Sequence, residues 1–216
     1  MTQTQKTIII ALVFGGTMIT IAGKPCSGKS AMSKELEKEH GFERFSMGDM
    51  FREIAKDNNL DVDELNKMLT SPKTALEFNI DSRIDNKVKE LGGKKIREYV
   101  IIETRTGFIF IPESHKVYTI VEPREQALRL INSGRDTEKT DVTIQQAIEN
   151  LANRERMENE RFMHLYNRNN LAITNYDYVL NTTHLSISKA SEQVYNSYLD
   201  YRKRKYGTER PQEMER

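Results

Sequence analysis

Short apolar runs spaced along a polar chain form the dominant pattern of this sequence. Residues 18–22 (MITIA), 98–103 (EYVIIE), 115–121 (HKVYTIV) and 177–180 (DYVL) read as buried strands, and 43–46 (ERFS) as a shorter one. Between them lie longer stretches of helical character. Residues 31–39 follow the first strand directly, and a helical run opens at Met47. Asp61 caps a helix over 61–69, and Ser71-Pro72 starts another that runs to about residue 91 and stops at Gly92-Gly93. Residues 108–112 (FIFIP) read as apolar packing without an assigned element. Pro123 opens a helix over 123–131, a long charged helix covers 142–167, and Ser186 or Ser188 caps a closing helix to about residue 205. Strands alternating with helices predict an α/β three-layer fold, a five-stranded parallel sheet with helices on both faces.

Three segments stand outside this alternation. Residues 132–141 are polar and read as a mobile loop, and residues 207–216 as a polar tail. The amino end carries Lys6 and an apolar run over 8–14 that resembles a signal-peptide core but is too short to span a membrane. Cleavage beside it would leave the first strand at a frayed terminus. The expectation is therefore that residues 1–17 are an extension and Met18 the initiator, with the main domain over 18–206.

Composition adds exclusions. A net charge of +1 gives no global attraction to nucleic acid or membrane. The basic cluster Arg202 to Lys205 sits near a helix carboxyl end, where it serves the dipole. The single cysteine, Cys26, excludes an intrachain disulfide, and His40, His115, His164 and His184 are scattered, at expected surface or helix-end positions. A reducing cytoplasm and a monomer binding small molecules fit best.

The chemistry concentrates at residues 23–30, where Gly23, Lys24, Pro25, Cys26, Ser27, Gly28, Lys29 and Ser30 complete the pattern G-x-x-x-x-G-K-[ST]. Strand before and helix after make this a phosphate-binding loop. Its backbone N–H groups and the helix dipole would face the phosphates of ATP, with Lys29 reaching the β- and γ-phosphates and the Ser30 hydroxyl ligating Mg²⁺. Glu103 ends a hydrophobic strand where ligands bind in parallel sheets, positioned to orient Mg²⁺ through water, and Arg105 projects into the same crevice. Arg52 places a cation where a second anion could lie. Asp81 and Asp85 share a helix face, and the arginines of 142–167 could fold over the triphosphate.

Several ordered motifs together resemble the cytidylate kinases, nearest the short archaeal-type and similar bacterial forms among nucleoside monophosphate kinases. They are GKPCSGKS (23–30), FSMGDMFRE (45–53), Glu103-Thr104-Arg105 followed by FIP (110–112), NRERMENERF (153–162) and YDYVLNTT (176–183). The resemblance implies an adenylate-kinase-like fold that transfers the γ-phosphoryl of ATP to CMP or dCMP with Mg²⁺. It implies a monophosphate-binding region over about 46–95 and a lid over about 132–167. Residues 23–30 would hold the donor, and Ser46, Asp49, Arg52 and Arg105 the acceptor; the helix-face reading adds Asp81 to the acceptor side. Lys29, Arg105, Arg154 and Arg161 would act in transfer, with Arg129 and Arg135 at nearby basic positions.

The family usually has Gly where this chain has Cys26, which is tolerable only if the backbone there needs no positive φ. Other acceptors remain open: UMP, AMP, or a small alcohol with Asp49 as base. A catalytically silent ATP-binding regulator also remains open.

Overall fold

A computed structural model describes residues 17–69, 71, 79–93, 99–133 and 141–207. Residues 1–16 of the expected amino-terminal extension, the first part of the helix opened by Pro72, most of the polar loop with Arg135, and residues 208–216 of the tail lie outside the described residues. The first strand, β1 (Ile19–Gly23), is buried throughout and forms the centre of the sheet. Around it stand β2 (Glu43–Ser46), β3 (Val100–Glu103), β4 (His115–Ile120) and β5 (Tyr178–Asn181), all parallel, in the order β2-β3-β1-β4-β5. The five expected strands are present within a residue or two of their predicted ends.

Both faces of the sheet are covered, which is why its strands are nearly continuous in apolar character. Ile19, Ile21, Ile101 and Val117 pack on one side with Met32 and Leu36 of α1 (Lys29–His40) and with Val194 and Tyr198 of the closing helix α8 (Ile187–Tyr206). Val100 and Ile102 face the other side, against Val88 and Leu91 of α4 (Ile80–Gly93). Complete burial of each such side chain contributes roughly 1.5–3 kcal/mol. Among the described residues α4 runs through Gly92 and Gly93, the glycine pair where its stop was expected. The helices α2 (Met47–Asp57) and α3 (Val62–Met68) pack with α4 around Ile54, Leu65 and Ile80. Residues Gly107–Phe110 form a one-turn helix, α5, where only apolar packing was expected.

Apart from these, α6 (Pro123–Ile131) and α7 (Ile144–Tyr166) share a separate apolar cluster of Ala127, Leu130, Ala147 and Leu151. A capping box of Thr143 and Gln146 fixes the start of α7. No helix among the described residues is long and apolar enough to cross a membrane.

Gly23 is required at the end of β1. Its φ is +142°, and a Cβ there would stand 2.3 Å from the carbonyl oxygen of Thr119 on β4. Any side chain would push the two strands apart where the phosphate loop begins.

His115 departs from its expected exposed position. It is buried at the start of β4, with Nε2 2.9 Å from Ser197 Oγ. Arg202, near the carboxyl end of α8, is also buried, against the Tyr198 ring. Burial pushes the His115 imidazole down from 6.5 to about 4. The unfolded chain therefore binds a proton between those values that the folded chain refuses, so stability falls as pH drops from about 6.5 to about 4. We expect His115→Gln to flatten the decline of Tm over that window, as read by thermal melts at pH 7, 6, 5 and 4.5. Parallel declines for both proteins would refute the assignment.

Candidate active site

The loop between β1 and α1 is built from backbone. Gly28 takes a left-handed conformation (φ +85°) immediately before α1, and no side chain caps that helix. By contrast, Ser46, Asp61, Thr143 and Ser186 cap α2, α3, α7 and α8. The first turn of α1 also carries no acid. Its leading N–H groups are thus left for an anion, which the helix dipole favours. Below the loop, Ser27 Oγ lies 2.6 Å from Thr119 Oγ1 and donates to the Lys24 carbonyl at 2.7 Å. Thr182, just past β5, donates to the Ser27 carbonyl at 2.9 Å.

Lys29 curls back across the loop. Its Nζ donates to the carbonyls of Gly23 at 3.0 Å and Lys24 at 2.6 Å. Burial and the neighbouring Arg105 lower its pKa to about 7, against a partial counter-effect of Glu103. A phosphate in the loop would reverse that balance.

Cys26 corrects an expectation. Its φ is +54°, so the backbone does enter the left-handed region that its usual glycine supplies. An L-residue there costs about 1–2 kcal/mol, and the site retains the conformation nonetheless. The Cys26 side chain packs against the α6–α7 cluster, a contact a glycine would lack.

Glu103 closes β3 at a position in register with Ile21 of β1 and Ser46 of β2. It is buried and fully engaged. Ser30 Oγ donates to Oε2 at 2.7 Å, Ser33 Oγ donates to Oε1, and Arg44 Nε donates to Oε1 at 2.6 Å. Arg44 was missed by motif reading, because it lies in a short strand with nothing local to mark it. Its guanidinium continues to Asp49 Oδ2 at 2.9 Å, and Asp49 in turn accepts from Arg52. Burial raises the Asp49 pKa, but the bonds from Arg52 and Arg44 outweigh it and hold the carboxyl below its usual range.

One cleft runs from this loop across the sheet edge to α3, α4 and α7. Pro25 to Ser30, Arg52, Asp81, Glu103, Arg105, Arg129, Arg154 and Arg161 all line it. Ser46 and Asp49 do not; Ser46 caps α2 and Asp49 braces Arg52, which does reach the cleft. Gly23 and Lys24 lie on the loop's other side, with Tyr118 and Tyr176.

The long α7 supplies both charges. Arg105 NH1 meets Glu158 Oε1 at 2.6 Å. Arg161 NH1 donates to Asn66 Oδ1 at 3.1 Å, and its Nε lies 3.4 Å from Asp81, an ion pair without hydrogen-bond geometry. Lys24 approaches Glu155 at 3.6 Å. Arg156, by contrast, is exposed and pairs with Glu160 one turn on. Glu158 and Asn66 were not marked as site residues by the sequence, since each becomes significant only through a partner distant in the chain. Arg129 is held by Glu125 at 2.8 Å and by the Thr182 carbonyl at 2.8 Å, within the cleft.

Comparison with known proteins agrees with this arrangement. The profile of the cytidylate kinase-like family matches residues 18–184. The chain belongs to that family. A cytidylate kinase of Sulfolobus acidocaldarius is 31% identical over 168 residues, covering 77% of this chain and 86% of the relative. One from Sulfurisphaera tokodaii is 27% identical over 184 residues, covering 85% of this chain and 96% of the relative. Among solved structures, an uncharacterized protein from Eubacterium ventriosum aligns with a TM-score of 0.58 at 14% identity, covering 83% of this chain and 96% of its own. Shikimate kinase from Acinetobacter baumannii aligns with a TM-score of 0.53 at 12% identity, covering 88% and 96%. These structural likenesses show a shared fold.

The lowered Lys29 pKa has a measurable consequence. Above pH 7 the empty loop holds a partly neutral Lys29, and triphosphate binding restores its charge, so binding takes up a proton. Between pH 8 and 9, ATP affinity is expected to fall by up to about tenfold. Titration calorimetry in buffers of different ionisation heat should show uptake approaching one proton. An affinity independent of pH across that window would contradict this.

Proposed function

We propose that this chain transfers the γ-phosphoryl group of ATP to CMP or dCMP, giving ADP and the corresponding diphosphate. The observation that carries the reading is the single cleft joining an uncapped, lysine-bearing phosphate loop to Arg52, Arg105 and Arg161. Family membership supports the acceptor, because the named relatives are cytidylate kinases.

The residues suit this chemistry. A monophosphate oxygen is ionised near neutral pH, so no strong base is required; the obstacle is bringing two polyanions together. Residues 23–30 hold the donor phosphates through backbone N–H groups, and Lys29 neutralises charge on the transferring group. Arg105 and Arg52 hold the acceptor phosphate, with Arg52 aimed by Asp49 and Ser46 through α2. Arg154 and Arg161 approach from α7, and closure of the lid over about 132–167 excludes water, favouring transfer over hydrolysis. Residues 46–95 form the acceptor-binding wall.

Ser30 and Glu103 fit a Mg²⁺ ion. The Ser30 hydroxyl spends its proton on Glu103, leaving its lone pairs for a metal. A magnesium ion that keeps several waters needs few protein ligands. Bound there, Mg²⁺ would neutralise phosphate charge. The enzyme is proposed to act as a cytoplasmic monomer without nucleic-acid or membrane partners.

An alcohol acceptor with Asp49 as base is disfavoured, since two arginines hold that carboxyl below its usual range. Coupled ADP release with CMP, dCMP, UMP and AMP tests the assignment directly. Lys29→Ala and Arg105→Ala are each expected to lower kcat by about 10²–10³-fold or more with unchanged far-UV circular dichroism. Near-normal turnover in either variant, or no acceptor-dependent ADP release by the wild type, would overturn the reading.

A further inference from the structure

The far end of the cleft contains a polar group that phosphate transfer does not use. Asp85 on α4 is 8% exposed and lines the cleft. Tyr166, near the end of α7, donates its hydroxyl to Asp85 Oδ2 at 2.7 Å. The other oxygen, Oδ1, is buried with no hydrogen-bond partner among the described residues. Burial, and less strongly the neighbouring Asp81, raise the Asp85 pKa against the bond from Tyr166; Thr106 lies close by but does not bond Oδ1. A buried carboxylate oxygen left without a donor is costly. Its persistence at a ligand cleft points to a donor carried by the ligand.

The surroundings describe that ligand. Phe51, Ile84 and Phe162 also line the cleft, and the Phe162 ring meets the ring of Tyr166 edge-on at 5.2 Å between centroids. Flat apolar walls with one recessed acceptor suit a heteroaromatic ring that presents a donor at its rim. We infer that Asp85 reads the acceptor base, its Oδ1 accepting a hydrogen bond from the exocyclic 4-amino group of cytosine. The inference rests on the pyrimidine acceptor proposed above.

Uracil fits this acceptor poorly. Its O4 would face the carboxylate with no proton between them, and its N3–H is recessed between two carbonyl oxygens that meet the same negative charge. Tyr166 sharpens the choice by occupying Oδ2, so Asp85 offers a single fixed acceptor rather than two. Asp85 is thus a specificity residue, distinct in role from Arg105 and Lys29.

The test compares CMP, UMP and the pyrimidin-2-one ribonucleoside 5′-monophosphate, which is CMP without its amino group, using wild type and Asp85→Asn. Wild type is expected to favour CMP over each of the others by about tenfold or more in kcat/KM. In Asp85→Asn, whose amide can turn its NH₂ toward O4, the CMP-to-UMP ratio should fall by about tenfold. Equal use of CMP and the pyrimidin-2-one nucleotide by wild type would overturn the inference, and that comparison requires no variant to fold. Retention of full discrimination by a folded Asp85→Asn protein would overturn it as well. A wild type inactive on CMP itself would instead strike the proposed function, and the two failures are separated by the CMP arm alone.

Discussion

A buried carboxylate organises the centre of this molecule. Glu103 stands at the end of a central strand, almost removed from water, and a charge in that position is tolerable only when paired and hydrogen-bonded. Its two oxygens receive Ser30 and Ser33 from α1 and Arg44 from β2. Arg44 passes the constraint to Asp49 and so to Arg52 on α2. One desolvated group therefore fixes the phosphate-loop serine, the start of α1 and a cation on the acceptor side in a common frame. Burial alone would favour a neutral Arg44, yet the two carboxylates outweigh it and hold its pKa above the usual value. Arg44 is the critical member, because its removal would leave the buried Glu103 charge without a cation.

The contacts made by α7 are of a different kind. Arg105–Glu158, Lys24–Glu155 and Arg161–Asp81 each join that helix to another element; Arg105 and Lys24 are partly exposed, whereas Glu158 and Arg161 are nearly buried. Arg105 and Arg161 line the cleft, so a phosphate bound there could take the place of their carboxylate partners. Phosphate oxygens are stronger bidentate acceptors for arginine than a single carboxylate oxygen. A rigid Glu103 frame and a replaceable set of α7 pairs together provide what phosphoryl transfer between two nucleotides needs: a fixed donor site and a wall able to re-pair.

Legibility in the sequence follows the range of the interactions. The phosphate loop was readable because it is made of adjacent residues whose backbone does the binding, and the five strands because burial on both faces leaves apolar runs. Arg105 was readable because a strand end delivers it. Arg44, Glu158 and Asn66 were not, since each acquires its role from a partner that only folding brings close. His115 misled for the same reason: nothing local to it announces that α8 will cover it with Ser197 and Tyr198.

Cys26 shows the limit of reading a position by its usual residue. A glycine there would be explained by the positive φ, and the positive φ is indeed present. The chain keeps the conformation with a side chain because the loop is held independently at both ends. Gly23 is locked under β4, Ser27 is tied to Thr119 and Thr182, and Gly28 starts α1. With its neighbours fixed, the residue between them has no alternative conformation to relax into. The local cost of about 1–2 kcal/mol is offset in part by packing the thiol against the α6–α7 cluster. The loop's shape is thus imposed by the sheet and by the helix that follows it, and its sequence needs only to be compatible with that shape.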